Sequence, residues 1–169
     1  DDPPENGRAL TIVARQLLEE ADNLESALKI LDGITVRSPG ILTIADGFSR
    51  RAVVVEMGPG GSDDRRVIRG DGDPIVWATD HMIREVFERD AHNERLARST
   101  SSGSRYKRLG ELLPRNGVMS VADAVGVLRD RKGPGGDLLG LANKAALENL
   151  RTTHAVVVDL SAMVLWVSE

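Results

Sequence analysis

The sequence predicts an α+β fold, with an antiparallel sheet packed against helices. Three observations lead there. The chain opens with two stretches of apolar residues at helical spacing, continues with short β-branched runs between turn signals, and closes on a further β-branched pair. The segment order, ααββββααββ, favours a sheet packed against helices over a parallel βαβ arrangement.

Leu10, Val13, Ala14, Leu17, Leu18 and Ala21 recur at i, i+3, i+4, i+7 and i+8, the stripe of an amphipathic helix. Asp22 with Glu25 three residues on reads as a capping box for a second helix, whose apolar face is Leu24, Ala27, Leu28 and Leu31 and which Gly33 ends. Ile41 to Ala45 and Arg51 to Glu56, separated by the turn signal Asp46-Gly47, read as paired strands. Arg66 to Ile68 and Ile75 to Ala78, with Gly70-Asp71-Gly72-Asp73-Pro74 between them, complete a predicted four-stranded meander.

From Asn93 to Leu113 the pattern is helical but broken by the polar run Ser99 to Ser104. Ser120 caps a helix with Val121, Ala124, Val125 and Leu128 inward, and Asp137 is placed to cap another through Leu138, Leu141, Ala142 and Ala145. Arg131 to Gly136 reads as the most mobile linker. Thr153 to Leu160 and Ala162 to Ser168 form a hairpin turning around Ser161. No internal repeat interrupts this order, and a single domain over residues 1–169 is expected.

Composition narrows the function classes. A net charge of -4 and five aromatic residues leave neither a basic footprint nor a stacking platform, so nucleic acid is not an expected partner. The longest apolar runs, Ala52 to Val55 and Ala155 to Val158, are too short to span a bilayer, and neither a membrane anchor nor a leader is expected. With no cysteine, the chain has no disulfide, thiolate metal site or cysteine nucleophile, and the compartment stays open. The opening Asp1-Asp2-Pro3-Pro4-Glu5 lacks an initiator methionine and predicts an upstream segment.

Several residues invite a chemical reading that their context weakens. Gly58-Pro59-Gly60-Gly61 lacks the following Lys-Ser/Thr of a phosphate loop and reads as a turn. Asp71 and Asp73 alternate with glycine as in a calcium loop, without its closing glutamate. His81, His92 and His154 have no short metal-binding spacing and read as structural or solvated, so neither a metal nor a cofactor is expected. Arg95, Arg98, Arg105, Lys107 and Arg108 form a run free of acidic residues, either a solvated helix face or a field for an anionic substrate.

More informative are Trp77-Ala78-Thr79-Asp80-His81-Met82, a strand entering a polar turn, and the later Ser101-Ser102-Gly103-Ser104-Arg105-Tyr106-Lys107-Arg108-Leu109. With Ile44-Ala45-Asp46-Gly47, Val54-Val55-Glu56 and the closing Thr153 to Asp159 and Leu165-Trp166-Val167, their order resembles the acyl-CoA:6-aminopenicillanic acid acyltransferase-like family of N-terminal-nucleophile hydrolases, from about Gly7 onward.

The resemblance implies an αββα sandwich and a precursor that cuts itself before a cysteine. The free α-amine of that cysteine serves as base for its thiol, and the thiolate attacks an amide or thioester carbonyl while nearby donors hold the oxyanion. On this basis the chain is the post-nucleophile part of an acyltransferase or amidohydrolase, inactive alone, its partners a small-molecule amide or acyl-thioester substrate and either the upstream segment or a second copy. The alternative is a non-catalytic binding or scaffold protein that retains the fold. Asp80 falls on the family's oxyanion-binding asparagine and Arg105 on its arginine; these are the candidate catalytic residues. A carboxylate only accepts hydrogen bonds, so Asp80 is a departure, with a turn or capping residue as its plain reading; for Arg105 that is a salt bridge. Exposed apolar surface is expected where the upstream part would pack.

Overall fold

A computed structural model describes residues 6–60, 65–69, 75–83, 91–114 and 117–168. Helices and small antiparallel sheets alternate along the chain in an α+β fold. The chain divides into two compact units, residues 1–72 with 82–89 and residues 73–81 with 90–169.

In the first unit, α1 (Leu10–Glu20) and α2 (Leu24–Asp32) lie beside a sheet of order β1-β2-β3 formed by Gly40–Asp46, Arg51–Met57 and Arg65–Arg69. β1 pairs with β2 so that Ile44 faces Val53 and Leu42 faces Val55. Val13 and Leu17 of α1, Leu24, Ala27 and Leu31 of α2, and Val53, Val55 and Met57 of β2 share one buried cluster. The alternation of Val53, Val55 and Met57 is the period-two pleat presenting one face to this cluster. Leu18 falls outside the helical stripe, 88% exposed, because it lies about 100° around the helix from Leu17.

The cap of α2 is Asn23 rather than Asp22. Asn23 Oδ1 accepts from the Ser26 backbone N–H at 2.9 Å, and Ser26 Oγ accepts from the N–H groups of Asn23 and Asp22, both at 3.1 Å. Glu25 is thereby released to pair with Arg51 on β2. Asp46 closes the β1–β2 turn by accepting from the N–H groups of Phe48 and Ser49 and from the Ser49 hydroxyl, and it also accepts from the Leu24 N–H at the start of α2. These donors, the Ser49 hydroxyl foremost, hold its carboxyl below the usual range.

β2 is buried on both faces. Glu56, 1% exposed, accepts the Ile83 backbone N–H at 2.7 Å, which ties the chain just beyond Thr79-Asp80-His81 to this strand.

The second unit holds α3 (Ala91–Ser99), α4 (Ser102–Leu112), α5 (Val121–Leu128) and a hairpin of β4 (Ala155–Asp159) with β5 (Val164–Ser168). The predicted break near Ser99 is the α3–α4 junction. Gly103 is required there, since a Cβ on it would stand 2.8 Å from the Ala97 carbonyl oxygen. Ser120 caps α5 in a reciprocal box with Asp123. The hairpin turn lies where expected, with Asp159 Oδ1 accepting from the N–H groups of Ser161 and Ala162, both at 2.9 Å.

Two expected elements differ. Ile75 to Ala78 is not part of either described sheet and runs as irregular chain, so the meander has three strands among the described residues. No helix follows Asp137; residues 138–150 form turns instead. The Asp137 carbonyl accepts the Gly133 N–H and Lys132 bridges to Leu138, so the chain folds back where a helix would have to start.

The supposed linker 131–136 is anchored. Arg108 of α4 makes a two-point ion pair with Asp130, Nε–Oδ1 3.0 Å and Nη2–Oδ2 2.8 Å, and reaches Glu111 Oε2 at 2.9 Å. Glu111 in turn accepts the Gly135 N–H. Both Arg108 and Asp130 side chains are 11% exposed. The Arg108 hydrogen bonds hold the carboxyls of Asp130 and Glu111 below the usual range and raise the guanidinium pKa in return.

Candidate functional site

Helical spacing gathers the site. Ser102, Arg105, Tyr106 and Gly110 lie at i, i+3, i+4 and i+8 of α4 and meet the segment Trp77 to His81. Gly110 leaves room for the indole, whose Cζ2 lies 3.4 Å from the position a Cβ would take. Trp77 and Tyr106 lie with ring centroids 5.6 Å apart, and Tyr106 meets His81 edge to face at the same separation. The indole Nε1 of Trp77 and the Nε of Arg105 are buried donors with no hydrogen-bond partner among the described residues.

Arg105 Nη2 pairs with Asp80 Oδ2, the arginine side chain 26% exposed and the carboxylate 64%. The two residues expected to work together are thus in contact, Asp80 from the turn after the extended segment and Arg105 from α4. The arginine run itself is largely neutralised, because Arg98 pairs with Glu94 and Arg108 with Asp130 and Glu111.

Beside this ion pair lies a cluster that residue spacing alone did not single out. Ser102, fully buried, places its Oγ 2.8 Å from His81 Nδ1 and 3.0 Å from Thr79 Oγ1. Thr79 Oγ1 also lies 3.2 Å from the Ser102 carbonyl oxygen, to which it donates, and 3.1 Å from His81 Nδ1. Burial lowers the His81 pKa, and the neighbouring Asp80 charge offsets part of that shift. The available signal was the i, i+2 spacing of Thr79 and His81, which puts both on one side of an extended chain.

A model of the family described as acyl-coenzyme A:6-aminopenicillanic acid acyl-transferase matches residues 3–169. The chain belongs to this family. Comparison with curated proteins and with solved structures gives no match. Within the acyl-transferase family assignment, the match runs through the Thr79 to His81 turn and α4 together with both sheets.

Elsewhere in the second unit, a hollow of about 350 Å³ opens between α5 and the hairpin, walled by Val125, Leu128, Val157 and Trp166, with His154 and Arg129 among its lining residues. The opposite hairpin face carries Val156, Val158, Leu165 and Val167, each 48–59% exposed. Among the described residues no cluster of three or more His, Asp or Glu side chains could hold a metal, and no helix is long and apolar enough to cross a membrane. His92's side chain, Asp71 and Asp73 lie outside the described residues.

Proposed function

We propose that the chain is the post-nucleophile part, a single functional domain over residues 1–169, of an N-terminal-nucleophile acyltransferase or amidohydrolase acting on small-molecule amide or acyl-thioester bonds. The observation that supports this reading is the Asp80–Arg105 ion pair, between the two residues that the resemblance sets on the family's functional positions. Arg105 offers a guanidinium suited to a substrate carboxylate or to holding Asp80 in place. The thiol nucleophile comes from an upstream cysteine, since this chain has none, and the chain alone is inactive. The exposed hairpin face is where the upstream segment or a second copy packs.

Asp80 also favours a second reading, a binding or scaffold protein that has left catalysis. In its ion pair Asp80 presents acceptor oxygens, and an acceptor opposes an oxyanion.

The deciding experiment assays the full-length protein for acyl release from amide and acyl-thioester substrates. The enzyme reading expects turnover that Asp80→Asn raises, by up to about 10²–10³-fold where the missing donor limits the rate. Arg105→Ala should lower it. Absence of turnover in the wild type and in Asp80→Asn leaves the binding reading.

A further inference from the structure

Two hydroxyl protons must serve the contacts among Thr79, Ser102 and His81, and their count orients the imidazole. The Ser102 carbonyl can only accept, so the Thr79 hydroxyl donates to it at 3.2 Å. Thr79 Oγ1 is then the acceptor for the Ser102 hydroxyl at 3.0 Å. With that proton committed, the 2.8 Å contact between Ser102 Oγ and His81 Nδ1 requires a proton on the nitrogen. One arrangement satisfies all four contacts: Ser102 donates to Thr79, Thr79 donates to the carbonyl, and Nδ1–H donates to Ser102 at 2.8 Å and is shared with Thr79 Oγ1 at 3.1 Å.

The lone pair of neutral His81 therefore sits on Nε2. The ring is only half-buried, and the contacts that anchor it among the described residues all fall on Nδ1. Protonated His81 keeps the same Nδ1–H, so a proton can arrive at Nε2 and leave it with no rearrangement of either hydroxyl. The groups facing the ring are Asp80, next in sequence and paired to Arg105, and the Tyr106 ring edge.

We propose that His81 is a proton-transfer residue for acyl transfer, with Ser102 and Thr79 as positioning residues that keep Nδ1–H inward and Nε2 open. The assignment rests on the acyl-transfer reading above. The step is the second half of the reaction, after the cysteine has taken the acyl group as a thioester. As the lone pair of an attacking amine or water forms its bond to the acyl carbon, the nucleophile's proton passes to Nε2. As the C–S bond breaks with its electron pair, Nε2 returns that proton to the departing thiolate.

The test uses full-length protein labelled with ¹⁵N-histidine, its His81 signal assigned by loss in His81→Gln. Neutral His81 should appear as the Nδ1–H tautomer, and Ser102→Ala should shift it toward Nε2–H. In kinetics, His81→Gln should lower kcat roughly 10²-fold with KM retained and remove the acid limb of the pH profile. His81→Asn, whose amide can replace the Nδ1 donor to Ser102 but not Nε2, should lose the same limb while keeping wild-type unfolding. An Nε2–H tautomer in the wild type overturns the proposal. So does an active wild type whose pH profile survives both His81 substitutions, and that result leaves acyl transfer standing. A wild type without acyl transfer overturns both and is identified by that control alone.

Discussion

The Ser102 hydroxyl and the His81 imidazole meet at 2.8 Å across the junction of α4 with the extended segment before it, and the serine is fully buried. Removing the hydroxyl leaves a buried ring N–H and the Thr79 hydroxyl short of a partner. Ser102→Ala should therefore destabilise the protein by about 1–3 kcal/mol in denaturant unfolding, more than a surface serine-to-alanine change.

The same histidine makes stability depend on pH. Its folded pKa lies below the ordinary 6.5, mainly through burial, so the unfolded chain binds the extra proton more readily. Its contribution is complete above the unfolded value and is lost as pH falls through the folded one. Wild-type midpoints should drop through that window, and the His81→Gln curve should lack this part of the drop.

Arg108 should be the most sensitive charged residue of the second unit. Arg108→Ala strands the poorly exposed Asp130 and leaves Glu111 without its i,i+3 partner on α4, and should cost about 3 kcal/mol in thermal or denaturant unfolding. Because both carboxyls titrate below their usual range, their contribution is present above the ordinary carboxylate pKa and is lost as pH falls through the lowered values. The Arg108→Ala penalty should shrink in acid, as measured by unfolding at successive pH values.

Gly103→Ala drives a methyl group to 2.8 Å from the Ala97 carbonyl oxygen, which belongs to the backbone of α3 and cannot turn away. The expected cost is about 1–3 kcal/mol. Gly126→Ala, in α5, meets nothing within 4 Å and should be neutral or stabilising by up to about 1 kcal/mol, as the helical control.

Glu56→Ala removes the acceptor for the Ile83 N–H inside β2's buried face. A loss of about 2–3 kcal/mol is expected, with Glu56→Gln recovering part of it because the amide oxygen still accepts. Hydrogen exchange at the Ile83 amide should accelerate in Glu56→Ala.

The sequence by itself determined the α+β class, the apolar faces of α1 and α2, the β1–β2 and β4–β5 hairpins and the break between α3 and α4. Each follows from local periodicity or turn chemistry, which acts over a few residues. It also carried the motif order that brought Asp80 and Arg105 to attention. Only tertiary structure decided the rest. Ile75 to Ala78 has a strand's composition but is irregular chain, and its Trp77 packs on Tyr106 of α4. Asn23 won the α2 cap over Asp22 because Ser26 could reciprocate while Glu25 was drawn to Arg51 across the sheet. Ser102 and His81, 21 residues apart, form a network because the helix and the turn bring them together. No local pattern encodes such a meeting.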